Sequence, residues 1–242
     1  MPIKAVLFDM FDTLMLNEKN REFYSPSLMR MHRFLNKKGI DVPFDKFNVA
    51  YIEARDALYA KADLNFEEPH FNIRVSKTLK SLGYNYDGSS SLVTEATGEF
   101  CEEFMKYVRV DENAKAMLKG LRGRYKLGII SNFAIPECVF KLLKEDHLEE
   151  LFDVVVVSGA VNKRKPSPEI FQNTLKALGV SASETVFVGD TIDADIEGPK
   201  AVGIKTIYIE RRVQVIEKFA PDQTIKSLSE LPLALDRCLS MC

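Results

Sequence analysis

The stretch KAVLFDMFDTL, at residues 4–14, joins an apolar run to a carboxylate. The run Lys4–Phe8 has the length and composition of a buried strand, and Asp9 follows it directly. In open parallel sheets, ligands bind at the carboxyl ends of the strands, where loops and helix N-termini converge. A carboxylate at the end of such a strand is therefore a candidate functional residue.

Similar apolar runs recur after residue 110 and alternate with amphipathic segments. We predict strands at Lys4–Phe8, Lys126–Ser131, Val154–Ser158, Thr185–Val188 and Lys205–Ile209, and helices at Glu112–Gly123, Pro136–Lys144, Pro168–Leu178 and Asp195–Val202. Strands rich in Val and Ile, each followed by a helix, indicate an α/β core in which helices cover both faces of a parallel sheet. We expect Pro199 to kink the last helix or to delay its start.

The region between the first strand and the others has helical periodicity throughout. Apolar residues recur three or four positions apart in four segments: Leu28, Met31 and Leu35; Phe47, Tyr51, Ala54 and Leu58; Phe71, Val75, Leu79 and Leu82; and Leu92, Ala96, Phe100, Phe104 and Tyr107. Ser25-Pro26 predicts the cap and first residue of the first helix, and Gly39 predicts its end. We therefore predict a helical bundle at residues 17–110, inserted into a core made of residues 1–16 and 111–242.

Composition and charge limit the partners of the chain. Its 242 residues carry a formal net charge of -2, which gives no general attraction to nucleic acid or anionic lipid. No apolar run is long enough to span a membrane or to act as a secretory signal. The 4 cysteines lack CxxC spacing, which favours free thiols in a reducing compartment. We expect a cytoplasmic protein that binds neither nucleic acid nor membrane; the sequence carries no signature of oligomeric state.

Three features of the inserted region have simple structural interpretations. His32 lies beside the apolar stripe of the first helix, so we expect it to be packed. Arg55 and Arg74 are expected to be surface charges, as most helical arginines are.

Polar residues stand at or after the ends of four predicted strands. Asp9 follows the first, Ser131-Asn132 ends the second, the basic cluster at residues 163–165 comes after the third, and Gly189-Asp190 ends the fourth. Each alone has a structural explanation, as a helix cap, a solvated loop or a turn. Four in order, each near a strand end, favour a functional site.

These residues carry a resemblance to the haloacid dehalogenase superfamily. FDMFDTL at residues 8–14 resembles its first motif and Ser131-Asn132 its second. KPSPEIF at residues 165–171 resembles the third, and GDTIDAD at residues 189–195 resembles the fourth. The resemblance implies a hydrolase with a Rossmann-like three-layer core and a C1 cap, in which Asp9 is the covalent nucleophile.

The resemblance also implies a Mg²⁺ site in a phosphatase of this family. Asp9, the backbone carbonyl of Phe11 and Asp190 would be its protein ligands, and Asp195 or Asp193 would hold a metal-bound water. The usual spacing of the family favours Asp195. A divalent ion held by such oxygens screens the repulsion between a carboxylate nucleophile and a phosphoryl group.

The remaining motif residues have implied roles toward the transferred group. Ser131 and Asn132 would bind phosphoryl oxygens, and Lys165 would neutralise charge on Asp9 and on the phosphoryl group. The substrate would be a small phosphorylated molecule, and water would hydrolyse the aspartyl intermediate.

The first motif departs from the family phosphatases at Phe11, where they usually have a second Asp. That Asp protonates the leaving oxygen, which is worth roughly 10²–10⁴-fold in rate. Asp12 stands one residue later, where the family usually has Gly, and on an extended chain this shift reverses the side-chain direction. For a phosphatase, Phe11 predicts better turnover of substrates with good leaving groups, such as acyl or aryl phosphates, unless Asp12 or a cap residue supplies the proton.

Two alternatives to a phosphatase stay open. A large aromatic residue at this position also resembles the 2-haloacid dehalogenases, in which the Asp carboxylate displaces halide without a metal. Asp190 argues against this function, because a second carboxylate beside Asp9 would repel a haloacid, and Arg55 lacks the neighbours expected of a dehalogenase cap. A weakly active binding or regulatory protein is the other alternative, but such a protein does not need Asp9, Lys165 and Asp190 together.

Overall fold

A six-stranded parallel sheet organises the chain, whose computed structural model describes residues 2–17, 23–211 and 219–240. In chain order the strands are β1 (Ala5–Phe8), β2 (Met15–Asn17), β3 (Val108–Val110), β4 (Lys126–Ser131), β5 (Val154–Val157), β6 (Thr185–Gly189), β7 (Lys205–Ile209) and β8 (Gln223–Ile225). The sheet has the order β5-β4-β1-β6-β7-β8, and all its pairs are parallel. Because β1 lies between β4 and β6, the carboxyl ends of these three strands are neighbours.

Helices cover both faces of this sheet. In chain order, the α-helices of the described residues are α1 (Tyr24–Lys37), α2 (Phe44–Ala62), α3 (Phe71–Ser81), α4 (Ser91–Phe104), α5 (Ala114–Leu121), α6 (Pro136–Glu145), α7 (Ser158–Val161), α8 (Pro168–Leu178), α9 (Gly198–Ala201) and α10 (Leu231–Ser240). Side chains of β1 alternate between two apolar clusters: Val6 and Phe8 pack with α5, α6 and α10, while Ala5 and Leu7 pack with α8. The predicted α/β fold with three layers is confirmed.

Four helices, α1 to α4, lie between β2 and β3 in the sequence. β2 and β3 pair antiparallel as a short ribbon, with Met15 opposite Val110 and Asn17 opposite Val108. The ribbon was not predicted, since strands of three residues are too short to show a periodicity. The predicted boundaries at residues 17 and 110 fall on this ribbon, and the division into two domains stays a prediction.

Two helix starts differ from the predictions. Helix α1 begins at Tyr24, so Ser25 and Pro26 lie in its first turn. Backbone N–H groups in the first turn make no hydrogen bond within the helix, so the missing N–H of proline costs nothing there. In place of the helix predicted at residues 195–202, a π-helical turn spans Ile192–Glu197 and α9 begins at Gly198, with Pro199 in its first turn. The helix thus restarts at the proline, as expected from its fixed geometry.

In the inserted region, the expectation for His32 is confirmed and the expectation for Arg74 is wrong. His32 is packed, with its Nε2 atom 2.7 Å from the carbonyl oxygen of Val42. Arg74 is only 7% exposed and donates to the hydroxyls of Tyr51 and Tyr59, so it is not the expected surface charge. The sequence pattern did not reveal that α2 presents two tyrosine hydroxyls to this guanidinium.

Among the described residues, no helix is long and apolar enough to cross a membrane. Cys101, Cys138 and Cys238 are free thiols, as predicted, and Cys242 lies outside the described residues.

Candidate active site

The ends of β1 and β6 bring three carboxylates together. Asp9 continues the pairing of β1 with β6 through its backbone N–H, which donates to the carbonyl oxygen of Val188 at 2.9 Å. Asp190 follows β6, and Asp195 lies on the π-helical turn behind it. One carboxylate oxygen from each of the three lies within 4.8 Å of the others.

Gly189 makes this approach possible. A Cβ atom at this position would clash with the side chain of Asp195. The carboxylate of Asp195 also accepts a hydrogen bond from the backbone N–H of Thr191 at 3.0 Å, which fixes it toward the strand end. Asp193, the other candidate, is exposed, so Asp195 is the residue that lies beside Asp9.

Lys165 bridges two of the three carboxylates. Its Nζ atom lies 2.7 Å from Asp9 Oδ1 and 2.7 Å from Asp195 Oδ1, and its side chain is 2% exposed. Asn132 holds the Lys165 backbone at both ends: its Oδ1 accepts from the Lys165 N–H at 2.8 Å and its Nδ2 donates to the Lys165 carbonyl at 2.9 Å. The amide of Asn132, predicted to bind substrate, is therefore engaged in positioning the lysine, although Asn132 also lines the cavity described below.

The cluster has more negative than positive charge. Burial raises the pKa of Asp9 against the opposing effect of Lys165, and the charge of Asp190 raises it further. Burial also raises the pKa of Asp195, to about 6. Burial lowers the pKa of Lys165, but the charges of Asp195 and Asp9 outweigh this effect and raise it, so the ammonium group stays protonated.

This donor set fits a hard divalent cation. Three buried carboxylates lie close together here, and bringing buried like charges together is costly unless a cation screens them. Carboxylate oxygens are the ligands that Mg²⁺ prefers. The backbone carbonyl of Phe11 stays a predicted ligand, contributed by a residue that lines the same cavity.

Ser131 offers an unused polar group at the end of β4. Its Oγ atom is buried and has no hydrogen-bond partner among the described residues. Buried hydroxyls are nearly always hydrogen-bonded, so an orphan of this kind fits a site that binds an oxygen-rich ligand. Ser131 does not itself line the cavity described next.

A cavity of about 310 Å³ opens above the carboxylates. Its apolar wall consists of Phe11 and Phe133 from the core and Phe23 and Phe104 from the inserted region. The ring of Phe133 lies 4.9 Å from that of Phe11 and 5.1 Å from that of Phe104. Sequence reasoning missed Phe133, Phe23 and Phe104 as cavity residues. Their only sequence signal is that Phe133 follows the second motif and that Phe23 and Phe104 lie near the two ends of the inserted region.

Asp12 also lines this cavity, so it stays a candidate proton donor. The argument that a one-residue shift reverses its direction assumed an extended chain, but Asp12 has a left-handed φ of 58° and the chain turns there. Asp and Asn tolerate this conformation better than most residues, and Gly adopts it freely. The Oδ1 atom of Asp12 accepts a hydrogen bond from the backbone N–H of Asn17 at 3.2 Å.

The inserted region contacts the segment just before Lys165. Arg164 forms an ion pair with Asp63, and its backbone N–H donates to the carbonyl oxygen of Phe66 at 2.9 Å. Lys163 Nζ donates to the carbonyl oxygen of Asn65 at 3.0 Å. We call these contacts the 63–66 latch.

Comparisons with known proteins identify one family of hydrolases. The family model of haloacid dehalogenase-like hydrolases matches residues 3–203. A glyceraldehyde 3-phosphate phosphatase from Pyrococcus abyssi is 31% identical over 210 residues, which cover 86% of this chain and 82% of that protein.

Two solved structures have a similar architecture. A HAD phosphatase from Thermococcus onnurineus has a TM-score of 0.65 at 27% identity, covering 96% of this chain and 98% of that one. A 2-haloacid dehalogenase from Pseudomonas syringae pv. Tomato DC3000 has a TM-score of 0.76, covering 97% and 99%, but at 24% identity it supports the fold alone. With the four motifs gathered at one end of the sheet and the family model spanning most of the sequence, the chain belongs to the haloacid dehalogenase-like hydrolases.

Proposed function

We propose that this hydrolase is a Mg²⁺-dependent phosphatase of a small phosphorylated molecule, which works through an aspartyl-phosphate on Asp9. The observation that carries the proposal is Asp190, a third carboxylate that is 1% exposed and close to Asp9 and Asp195. Three carboxylates this close together would repel a phosphate ester. A divalent cation between them would screen that repulsion.

The residues of this chain divide the work between them. Asp9, Asp190, Asp195 and the Phe11 carbonyl would hold Mg²⁺, which supplies charge screening and orientation of the phosphoryl group. A carboxylate oxygen of Asp9 attacks phosphorus, and the bond from phosphorus to the leaving oxygen breaks. A water molecule then hydrolyses the acyl phosphate and restores the carboxylate.

Other residues prepare the nucleophile and the phosphoryl oxygens. Lys165 favours the ionised form of Asp9 and orients its carboxylate, since its ammonium group donates to Asp9 Oδ1 at 2.7 Å. The unpaired hydroxyl of Ser131 would donate to a phosphoryl oxygen. Asn132 keeps Lys165 in place, and the phenylalanine wall of the cavity excludes bulk water.

The cavity volume, the net charge and the cysteine spacing support the proposed substrate size, partners and location. A cavity of about 310 Å³ suits a small molecule. The net charge of -2 supports the absence of a nucleic-acid partner, and the cysteine spacing supports a cytoplasmic location.

A 2-haloacid dehalogenase is the second candidate function. Phe11 and the apolar wall favour it, because halide departure needs no proton donor. In that reaction Asp9 would attack carbon directly, and the carbon–halogen bond would break. The charge of Asp190 opposes this function, because a carboxylate close to Asp9 would repel a haloacid unless a cation lies between them.

One paired assay distinguishes these functions. Hydrolysis of p-nitrophenyl phosphate is measured with Mg²⁺ and with a chelator, beside chloride release from 2-chloropropionate. We expect Mg²⁺-dependent phosphate release, abolished by Asp9→Asn and by Asp190→Asn. Asp193→Asn is the matched control, because Asp193 is an exposed carboxylate on the same helical turn.

Other results would each remove a part of the proposal. Chloride release without metal would establish the dehalogenase. Activity that survives Asp9→Asn would show that the nucleophile is another residue. No turnover in either assay would favour the binding or regulatory alternative.

A further inference from the structure

The side chain of Arg211 binds the turn that follows Asp9 in the sequence. Arg211 comes two residues after the end of β7, and its side chain is 16% exposed. Its Nε atom donates to the carbonyl oxygen of Asp12 at 3.2 Å, and its Nη2 atom donates to the carbonyl oxygen of Thr13 at 3.4 Å. The same Nη2 atom lies 2.6 Å from Asp111 Oδ2. One guanidinium therefore joins this turn to the residue that follows β3.

The turn spans residues 10–15 and is closed by backbone hydrogen bonds, and we call it the 10–15 turn. The N–H groups of Leu14 and Met15 both donate to the carbonyl oxygen of Met10 at 2.9 Å, and the Asp12 N–H donates to the carbonyl oxygen of Met15 at 2.6 Å. Asp12 has its left-handed φ of 58° here. Residues other than glycine keep such a conformation where the surrounding structure holds them in it. Arg211 supplies that support from outside the turn.

The carboxylate of Asp111 in turn fixes the guanidinium of Arg211. Asp111 is buried, and its Oδ1 atom accepts a hydrogen bond from the backbone N–H of Asn113 at 2.9 Å. The backbone N–H of Asp111 donates to the carbonyl oxygen of Leu14 at 3.0 Å, so Asp111 and the 10–15 turn are also joined directly. A guanidinium presents its donors in a rigid plane, which the single ammonium group of a lysine cannot reproduce.

We propose that Arg211 is a positioning residue for the metal site, which holds the 10–15 turn so that the carbonyl of Phe11 can bind Mg²⁺. Phe11 lies within the turn and Asp9 directly precedes it, so a shift of the turn displaces two of the proposed ligands. Mg²⁺ requires near-ideal octahedral geometry, and a small displacement therefore weakens its binding. Arg211 does not line the cavity, so it acts through the turn. The inference rests on the proposed Mg²⁺ site.

Magnesium affinity tests this role without turnover. The full chain is titrated with Mg²⁺ alone by isothermal titration calorimetry. We expect Arg211→Ala to raise the Kd for Mg²⁺ by roughly 10–100-fold, as is typical for residues that orient metal ligands. Arg211→Lys should restore only part of the affinity. Asp111→Asn should have a smaller effect than Arg211→Ala, because it removes the ion pair and keeps the arginine.

A control separates positioning from a general loss of stability. Leu178 is a buried residue at the end of α8, so Leu178→Ala should lower Tm but keep the Kd of the wild-type protein. A wild-type Kd in Arg211→Ala, or an equal loss of affinity in Leu178→Ala, would overturn the inference. Should Arg211→Ala not fold, Arg211→Lys and Asp111→Asn decide in the same way. Absence of Mg²⁺ binding by the wild-type protein would instead refute the metal site itself.

Turnover gives a second and separate measurement. A residue that acts through metal affinity can be compensated by more metal, so a high Mg²⁺ concentration should restore most of the p-nitrophenyl phosphate turnover of Arg211→Ala. Asp190→Asn should stay inactive under the same conditions, because it lacks a proposed ligand. A loss of turnover in Arg211→Ala that Mg²⁺ does not restore would contradict a role through the metal site.

Discussion

The ring of Phe11 packs against Phe133 and Phe104, so the position that holds the proton donor in family phosphatases is apolar here. Catalysis then depends on how easily the leaving oxygen departs as an anion. We expect kcat/KM of the wild-type protein to rise steeply as the pKa of the leaving group falls, across a series of aryl and alkyl phosphates. A flat dependence would contradict this prediction and would assign the proton to another residue, with Asp12 the first to test.

Replacing Phe11 by Asp tests whether a proton donor at this position changes the dependence of turnover on the leaving group. Phe11→Asp should raise turnover of alkyl phosphates relative to aryl phosphates, because general acid catalysis contributes about 10²–10⁴-fold when the acid is well placed. Phe11→Leu is the matched control and should keep the steep leaving-group dependence. The measurement is the slope of log kcat/KM against leaving-group pKa for all three proteins.

We expect Asp190 to have opposite effects on function and on the stability of the metal-free protein. Its carboxylate lies close to those of Asp9 and Asp195, and its charge raises the pKa of Asp9. Asp190→Asn should therefore raise the free energy of unfolding of the metal-free protein by roughly 0.5–2 kcal/mol while it abolishes metal-dependent turnover. Chemical denaturation in the presence of a chelator checks this, and a destabilised variant would contradict it.

Single residues show where sequence reasoning succeeded and where it failed. The motif spacing favoured Asp195 over Asp193, and burial agrees, because the π-helical turn directs only the former toward Asp9. The direction of Asp12 could not be derived, since it depends on a left-handed φ that the residue type permits but does not require. The apolar wall of the cavity could not be predicted either, because Phe23 contacts Phe104, and Phe104 contacts Phe133, only through tertiary packing.

At the scale of elements, the 63–66 latch joins the inserted region to the residue before Lys165. Its ion pair is partly exposed, so Arg164→Ala should change the free energy of unfolding by less than about 1 kcal/mol. We expect kcat/KM to fall by roughly tenfold or more, because small displacements of a catalytic group are costly. Asp63→Asn should have a smaller effect in the same direction, and Arg124→Ala, a surface arginine with a weak partner, serves as control. Unchanged kinetics in Arg164→Ala would show that the latch does not position Lys165.

The start of β6 gives an element-scale prediction on pH. The ion pair with Lys4, together with hydrogen bonds from Ser181, lowers the pKa of Glu184 to about 2. A depressed folded-state pKa means that the stabilisation is fully present above the unfolded pKa near 4.5 and is lost as the pH falls toward 2. Glu184→Gln should therefore lower Tm at neutral pH, by an amount that shrinks on acidification. Thermal unfolding of both proteins across this range checks it, and a constant difference would contradict it.

Elements with a clear apolar pattern were predictable, whereas strands of three residues were not. The bounds of β4, β7 and α8 were predicted to the residue, because each is a buried apolar run or a stripe with clear flanking residues. Strand β8 has three residues and takes its conformation from pairing with β7, so its own sequence carries little signal.

For the molecule as a whole, Mg²⁺ should act as a stabilising ligand. An ion that binds only the folded state adds about 2.7 kcal/mol at a concentration 100 times its Kd. Tm of the wild-type protein and of Asp193→Asn should rise with Mg²⁺ concentration, while Tm of Asp190→Asn should not. Differential scanning fluorimetry measures this without turnover, and equal shifts in all three proteins would place the ion elsewhere.

The β2–β3 ribbon has an evolutionary consequence. The chain leaves the core on one strand and returns on its hydrogen-bonded neighbour, so the two ends of the insertion are as close as the arms of a hairpin. Any segment whose two ends lie at that spacing can be inserted between β2 and β3 without a change in the strand order of the sheet. The same sheet could therefore carry a different insertion, and the cavity residues that come from that side, Phe23 and Phe104 here, would change with it.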